Sequence, residues 1–158
     1  MTTSFDVRVR RPRQYEALIQ EMRHEAFFPT MRDVLLFAAS VGFKADRSAP
    51  VGEAAGDPIR YETLTVPAFS DALVSMLAIR SRMAGEGVDD AEILDNSRLQ
   101  ERVEIFERYV HGGLEYIQEL MNTRSHPVDL VVSSLVNEAL SGEEIAGPAS
   151  IEDLLAGT

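Results

Sequence analysis

Arginines near the N-terminus are the residues whose type and spacing could do chemistry. Arg8, Arg10, Arg11 and Arg13 lie close together, and arginine accounts for 14 of the 15 basic residues. A planar guanidinium makes paired hydrogen bonds to carboxylates and phosphates, whereas lysine acts as a point charge. The cluster has three interpretations: a solvated arm that balances the chain's own carboxylates, a docking strip for an acidic partner, or an arm that contacts DNA phosphates. We favour the solvated arm.

Two further arginines, Arg32 and Arg47, flank the central helix that the sequence predicts over residues 30–42. A charge at the edge of a core helix is readily satisfied by a neighbour of opposite charge, so we predict internal ion pairs for both. The alternative is that they form an exposed contact site for a partner or a phosphate.

Other reactive groups are few. The chain has no cysteine, which excludes disulfides, thiolate zinc sites and cysteine nucleophiles. Its three histidines, His24, His111 and His126, are not spaced with carboxylates as in a zinc-binding helix, so we interpret them as structural or exposed. The sequence contains neither a glycine-rich phosphate loop ending in Lys-Ser/Thr nor a Gly-x-Ser-x-Gly elbow. We therefore predict no catalytic residues, no metal and no cofactor.

Carboxylates cluster in two parts of the chain. These residues are Asp89, Asp90 and Glu92, and then Glu143, Glu144, Glu152 and Asp153. They would bind a divalent cation if the fold brought them together, but such clusters are usually solvated, and the spacing of a calcium-binding loop is absent. A metal-dependent nuclease subunit is accordingly a minority hypothesis.

Net charge is unevenly distributed along the 158 residues, a length that fits one domain. Residues 1–60 carry a net charge of +1 and residues 61–158 carry −12, which gives −11 in total. Such an acidic surface repels a phosphate backbone, so any contact with DNA would come through the arginines. The N-terminus lacks the apolar core of a signal peptide, and no apolar run could span a membrane. We expect a cytoplasmic protein without membrane contact.

Residues 30–42 are predicted to form the central helix of the core. Thr30 suits the N-cap position, Asp33 suits the positive end of the helix, and Gly42 is typical of a helix end. Apolar residues between these signals cover every side of the helix, as expected for a helix surrounded by protein.

The rest of the chain predicts further helices around this one, with few strands. Apolar spacing indicates helices from Pro12, from Pro67 to Met83, from about Ser97 to Val110, and over residues 128–140. The apolar face predicted for the helix from Pro67 to Met83 consists of Phe69, Leu73, Met76, Leu77 and Met83. Gly112 and Gly113 are expected to form a corner that ends or kinks a helix. Residues 44–58 form a long loop, and residues 5–10 and 59–66 allow one minor strand pair.

The sequence therefore predicts an all-α or nearly all-α protein, a compact single-domain bundle of about five helices around a buried central helix. We divide the chain into an arginine-rich N-terminal arm over residues 1–11, a helical domain over residues 12–140, and a linker with a short C-terminal helix over residues 141–158.

Several segments resemble one known family. They run from Arg10 to Glu16, from Phe28 to Lys44, from Arg47 to Val51 and from Ile105 to Leu114. Together they resemble the small Dnd-system-associated proteins, the fourth of the accessory types found beside bacterial DNA phosphorothioation genes. The resemblance spans roughly residues 8–120. It implies a part in sulfur-based DNA modification and restriction, hence in defence against phage and foreign DNA, and it carries over no catalytic residues.

From these observations we predict a non-enzymatic accessory or adaptor protein that acts through protein contacts. Its expected partners are other subunits of a DNA modification or restriction system, and a homo-oligomer is also compatible with the sequence. The alternatives are a small DNA-binding regulator that uses the arginine arm and the metal-dependent nuclease subunit described above.

Overall fold

The computed structural model describes residues 6–66, 68–83 and 91–141. Short 3-10 helices occur at Arg13–Tyr15, Glu92–Leu94 and Asn96–Arg98. The strands are β1 (Arg8–Val9) and β2 (Ile59–Arg60), and the α-helices are α1 (Glu16–Glu25), α2 (Met31–Lys44), α3 (Tyr61–Leu64), α4 (Ala68–Met83), α5 (Leu99–Arg124) and α6 (Val128–Ser141). This nearly all-α architecture confirms the predicted fold class, because α3 is a single turn and the other five are the main helices.

Helix α2 occupies the centre of the core, as predicted. The Thr30 hydroxyl accepts a hydrogen bond from the Asp33 amide, and the Asp33 carboxylate accepts one from the Thr30 amide, which completes a capping box. Seven side chains or glycines of α2 are buried: Val34, Leu35, Leu36, Ala38, Ala39, Val41 and Gly42. The expected end at Gly42 is wrong, because the helix continues to Lys44 with Gly42 buried inside it.

The expected corner at Gly112 and Gly113 is also wrong, since α5 runs unbroken through both residues. A Cβ atom on Gly113 would overlap the backbone carbonyl of Ala38, and one on Gly112 would overlap the carbonyl of Arg47. Gly42 faces Gly113 across the same crossing. Gly113 is needed because the backbones of α2 and α5 approach too closely for a side chain between them. Gly112 is needed because the backbone of the loop after α2, at Arg47, lies directly against α5.

Helix α4 forms as predicted, but the face that it buries only partly overlaps the predicted one. Leu77 is buried and Leu73 packs against the core as predicted, whereas Phe69 and Met76 are 65% and 39% exposed, and the side chain of Met83 lies outside the described part of the structure. The other buried positions are Ser70, Val74 and Ala78. Size explains the difference: Ser70 and Ala78 are small enough to lie against the neighbouring helix, while the pattern had favoured the larger apolar side chains.

The predicted strand pair is present but short. β1 and β2 are antiparallel, with Arg8 opposite Arg60 and Val9 opposite Ile59, and the chain then turns into α3. The segment assigned to an N-terminal arm therefore lies in the fold from Arg8 onward. It also holds the long loop in place, because the amide of Ala55 donates to the carbonyl of Arg11 at 3.0 Å.

No α-helix among the described residues is long and apolar enough to cross a membrane.

Candidate functional site

Arg10 lies at the surface and is held against the fold by the buried Glu107 of α5. Only 2% of the Glu107 side chain is exposed, and its Oε2 accepts hydrogen bonds from the backbone amide of Arg10 at 2.6 Å and from Nε at 3.2 Å. Oε1 accepts a third from Nη2 at 3.0 Å. This hydrogen bonding and the charge of Glu107 raise the pKa of Arg10. Arg10 therefore joins β1 to α5, and its charge is compensated within the chain.

The other three N-terminal arginines also have carboxylate partners in the chain. The partner of Arg8 is the exposed Asp6, at 2.9 Å, and that of Arg13 is the exposed Glu53, at 3.5 Å. Arg11 is much less exposed and makes two hydrogen bonds to Glu16, at 2.7 and 3.1 Å, and one to the carbonyl of Asp57 at 2.9 Å. The cluster that sequence spacing presented as one basic strip is thus divided among four separate ion pairs.

Arg32 lies at the start of α2. Its Nη1 donates to the carbonyl of Thr63 at 3.3 Å, and its Nε lies 4.0 Å from Asp33. The hydrogen bond to Thr63 links the beginning of α2 to α3.

Arg47 contacts three residues of α5. Its Nη1 lies 3.3 Å from Glu115, its Nη2 lies 2.6 Å from Glu119, and its guanidinium lies 5.1 Å from the ring centroid of Tyr116. Hydrogen bonding to Glu119 is the main reason that the pKa of Arg47 is raised. Arg47 therefore holds the start of the long loop against the middle of α5.

The histidines have the structural or exposed positions that the sequence indicated. His24 and His126 are exposed. His111 is buried beneath the long loop, where its Nδ1 lies 2.9 Å from the carbonyl oxygen of Pro50 and its ring contacts Tyr15 edge-on.

The two acidic clusters lie mostly outside the described residues. Glu92 is described, and it pairs with Arg98 at 3.2 Å. The other members are not described: Asp89, Asp90, Glu143, Glu144, Glu152 and Asp153. Within residues 6–66, 68–83 and 91–141, no group of three or more histidines or carboxylates is placed to hold a metal ion.

An apolar groove lies between α2 and α6, with α5 beneath it. Phe37 and Val41 of α2 form one wall, and α6 forms the other. Tyr116 contributes from α5, and the groove encloses about 310 Å³. The complete lining is Phe37, Ser40, Val41, Lys44, Ala45, Tyr116, Leu135, Val136, Glu138, Ala139 and Leu140. Because this lining is mainly aliphatic and aromatic, the groove is suited to bind apolar groups.

Two residues on the α6 wall are unusually exposed for their type. Leu140 is 81% exposed and Val136 is 39% exposed, and they stand one helical turn apart. Burying one such side chain against a partner contributes roughly 1.5–3 kcal/mol. Exposed apolar residues beside a preformed groove are a typical feature of protein interaction sites.

Sequence reasoning did not identify this groove. One signal was present: α6 has apolar residues at more positions than a single buried face uses, and only Val128, Val131 and Val132 are buried. Leu130 and Leu140 lie at its two ends and are both exposed. Which of them borders a groove depends on how α6 is placed against α2, and that is set by contacts distant in sequence.

A comparison with protein-family models matches residues 8–150 to the family described as DNA sulphur modification system-associated protein 4. The match extends past residue 120, where we expected the resemblance to end. No curated protein and no solved structure matches the chain.

Proposed function

Because the chain belongs to the family of DNA sulphur modification system-associated protein 4, we propose that it is a non-enzymatic accessory or adaptor protein of such a system. In this proposal it acts by binding other subunits of the DNA modification or restriction machinery. Its setting is the cytoplasm, and the biological role of the system is defence against phage and foreign DNA.

The apolar groove between α2 and α6 is the observation that carries this proposal. It offers a preformed surface with Val136 and Leu140 exposed at one wall, which is the kind of surface that protein partners bury. Its lining supports a binding role, and membership of the family supports a partner from a DNA sulphur modification system.

The arginine contacts favour an adaptor over a DNA-binding regulator. A phosphate would have to displace Glu107 from Arg10 and Glu16 from Arg11, and both carboxylates make two or more hydrogen bonds to their arginine. Displacing Glu107 would also leave a buried carboxylate uncompensated, which is costly.

Co-purification from the native host tests the proposal. The tagged full-length chain is expressed at its natural level, captured, and the bound proteins are identified by mass spectrometry. We expect subunits of the DNA modification or restriction system to be recovered. Recovery of the tagged chain alone would contradict the adaptor function.

Two assays on the purified chain separate the alternatives. Duplex DNA binding that weakens steeply with salt would support the regulator. Magnesium-dependent cleavage that is lost in Asp89→Asn and Asp90→Asn variants would support the nuclease subunit. We expect neither activity.

A further inference from the structure

We propose that the groove binds one amphipathic α-helix of a partner protein, and that this helix carries Lys or Arg residues beside its apolar face. The inference rests on the proposed function and extends it by stating the chemistry of the partner. It follows from the spacing of the apolar residues along the groove, from the size of the groove and from the charge of the chain around it.

Spacing along the two walls matches the repeat of a helix. Phe37 and Val41 lie one turn apart on α2, and Val136 and Leu140 lie one turn apart on α6. A helix placed between them presents side chains at intervals of three and four residues to both walls. Residues 37–44 extend over roughly 10 Å at about 1.5 Å per residue, which corresponds to two turns of the bound helix.

The volume of the groove fits a few side chains. About 310 Å³ lies at the lower end of the range for binding pockets in proteins. The bound helix would therefore insert its apolar residues between α2 and α6 while its opposite face stays in solvent. Such a helix needs polar residues on the solvent face, which makes it amphipathic.

The negative charge of the chain favours a basic partner helix in the groove. The chain has a net charge of −11, and residues 61–158, which include α5 and α6, carry −12. Helix α6 itself has Asp129 and Glu138 and no basic residue, so the partial negative charge at its C-terminal end is not offset within its last turn. The charged residues that line the groove are Lys44 and Glu138, and Glu138 lies 3.9 Å from Arg124. The preference for a basic helix therefore comes from long-range attraction to the acidic chain as a whole.

Charge also disfavours the other occupants of the groove. A second copy of the chain brings another −11, and residues 142–158 contain four carboxylates and no base. Binding of a second copy or of residues 142–158 in the groove would bring negative charges together. A DNA phosphate backbone is repelled for the same reason.

Two peptides of roughly 14 residues, long enough to form a helix on a protein surface, test the partner's chemistry. They share one leucine-rich face and carry either lysine or glutamate at the remaining positions. Each is labelled with fluorescein and titrated with the full-length chain by fluorescence anisotropy. We expect the lysine peptide to bind at least about tenfold more tightly, with a difference that decreases as salt screens the charges. Equal affinity for the two peptides would overturn the inference.

A matched pair of variants tests the place of binding. Leu140→Gln changes a groove residue, whereas Leu130→Gln makes the same change at an exposed leucine of the same helix that does not line the groove. We expect Leu140→Gln to weaken binding of the lysine peptide by about tenfold, because an apolar contact is lost, and Leu130→Gln to leave it within about twofold. Equal effects of the two substitutions would place the peptide elsewhere and overturn the inference.

Two further outcomes are decisive. If the wild-type chain sediments as a dimer that Leu140→Gln dissociates, the groove is occupied by a second copy and the inference fails. If system subunits co-purify equally with Leu140→Gln and Leu130→Gln, the groove assignment fails while the adaptor function stands.

Discussion

Glu107 lies buried in α5 and accepts three hydrogen bonds from Arg10, a residue 97 positions earlier in the chain. One comes from the backbone amide and two come from the guanidinium. This arrangement attaches β1 to the long helix that also packs on α2. Arg10 is therefore a structural residue, and its loss should affect folding before it affects any binding.

Substitution of Arg10 by Met should lower the free energy of unfolding by about 2 kcal/mol. Breaking a fully buried pair typically costs about 3–5 kcal/mol, and the cost here is smaller because the Arg10 side chain is 45% exposed. The double variant with Arg10→Met and Glu107→Gln should recover part of the lost stability. The glutamine side-chain oxygen at position 107 can still accept a hydrogen bond from the backbone amide of position 10, and no uncompensated carboxylate charge is left buried. Urea unfolding of the single and double variants measures both effects.

Arg8→Met is the control for the substitution of Arg10 by Met. Arg8 pairs with Asp6 in solvent, so its removal should change the free energy of unfolding by less than about 0.5 kcal/mol. If Arg10→Met is no more destabilising than Arg8→Met, the assigned role of Glu107 is wrong.

Local signals in the sequence were sufficient to predict the fold class and the starts of the helices α2 and α5. Thr30 and Asp33 lie three residues apart and form the capping box that starts α2. Val103, Phe106 and Val110 have helical spacing and form part of the buried face of α5. These features depend on neighbours within one or two turns. A sequence shows such neighbours directly.

Features that depend on distant contacts could not be predicted in the same way. Gly112 and Gly113 have the composition of a helix end, and only the carbonyls of Ala38 and Arg47 show that α2 and the loop after it lie too close to α5 for a side chain. The ion pair of Arg10 and the groove beside α6 likewise join segments far apart in the chain. The candidate site was therefore found from the structure and not from the sequence.

The close crossing predicts an unusual result for Gly113→Ala. In an ordinary helix this substitution stabilises by about 1 kcal/mol. Here the added methyl group overlaps the Ala38 carbonyl, which belongs to backbone and cannot rotate away. We expect a net loss of at least about 2 kcal/mol in the free energy of unfolding, because overpacking typically costs about 1–3 kcal/mol and the crossing is formed by backbone on both sides.

Gly52→Ala is the matched control, because no heavy atom lies within 4 Å of the position that its Cβ would occupy. Its effect on the free energy of unfolding should stay within about 0.5 kcal/mol. Thermal or urea unfolding of both variants makes the comparison. A stable Gly113→Ala protein would show that the two helices can separate without cost.

Glu16 should contribute to stability in a pH-dependent way. Burial acts to raise the pKa of its carboxyl, but hydrogen bonds from Arg11 and Gln20 together outweigh this effect and lower it below the ordinary value of 4.5. Both states are ionised well above pH 4.5, so the contribution is fully present there. It is lost as pH falls through the folded-state pKa, because the unfolded chain takes up the proton first.

The measurement is the difference in unfolding free energy between wild type and Glu16→Gln from pH 7 down to pH 3. We expect a difference below about 1 kcal/mol at pH 7, since the pair is partly exposed, and a smaller one at pH 3. A difference that is independent of pH would show that the carboxylate charge contributes nothing.

Tyr61 should give the opposite dependence at alkaline pH. Its hydroxyl donates a hydrogen bond to Asp71, and burial, followed by this hydrogen bond, raises its pKa above 10.0. The neutral form is therefore favoured in the folded state. Its contribution is complete below pH 10 and is lost as pH rises further, because the unfolded chain ionises first.

Burial also raises the pKa of Tyr15, so the contribution of Tyr61 is measured as the difference between wild type and Tyr61→Phe. Wild-type stability should decrease above pH 10 with a slope of up to about 1.4 kcal/mol per pH unit from this group, and Tyr61→Phe should have a shallower slope. Asp71→Asn separates the effect of burial on the pKa of Tyr61 from the effect of Asp71, since it removes the charge of the acceptor and leaves the tyrosine ring in place. If Tyr61→Phe and wild type lose stability in parallel above pH 10, the hydroxyl of Tyr61 does not link α3 to α4 in the way that its contact with Asp71 indicates.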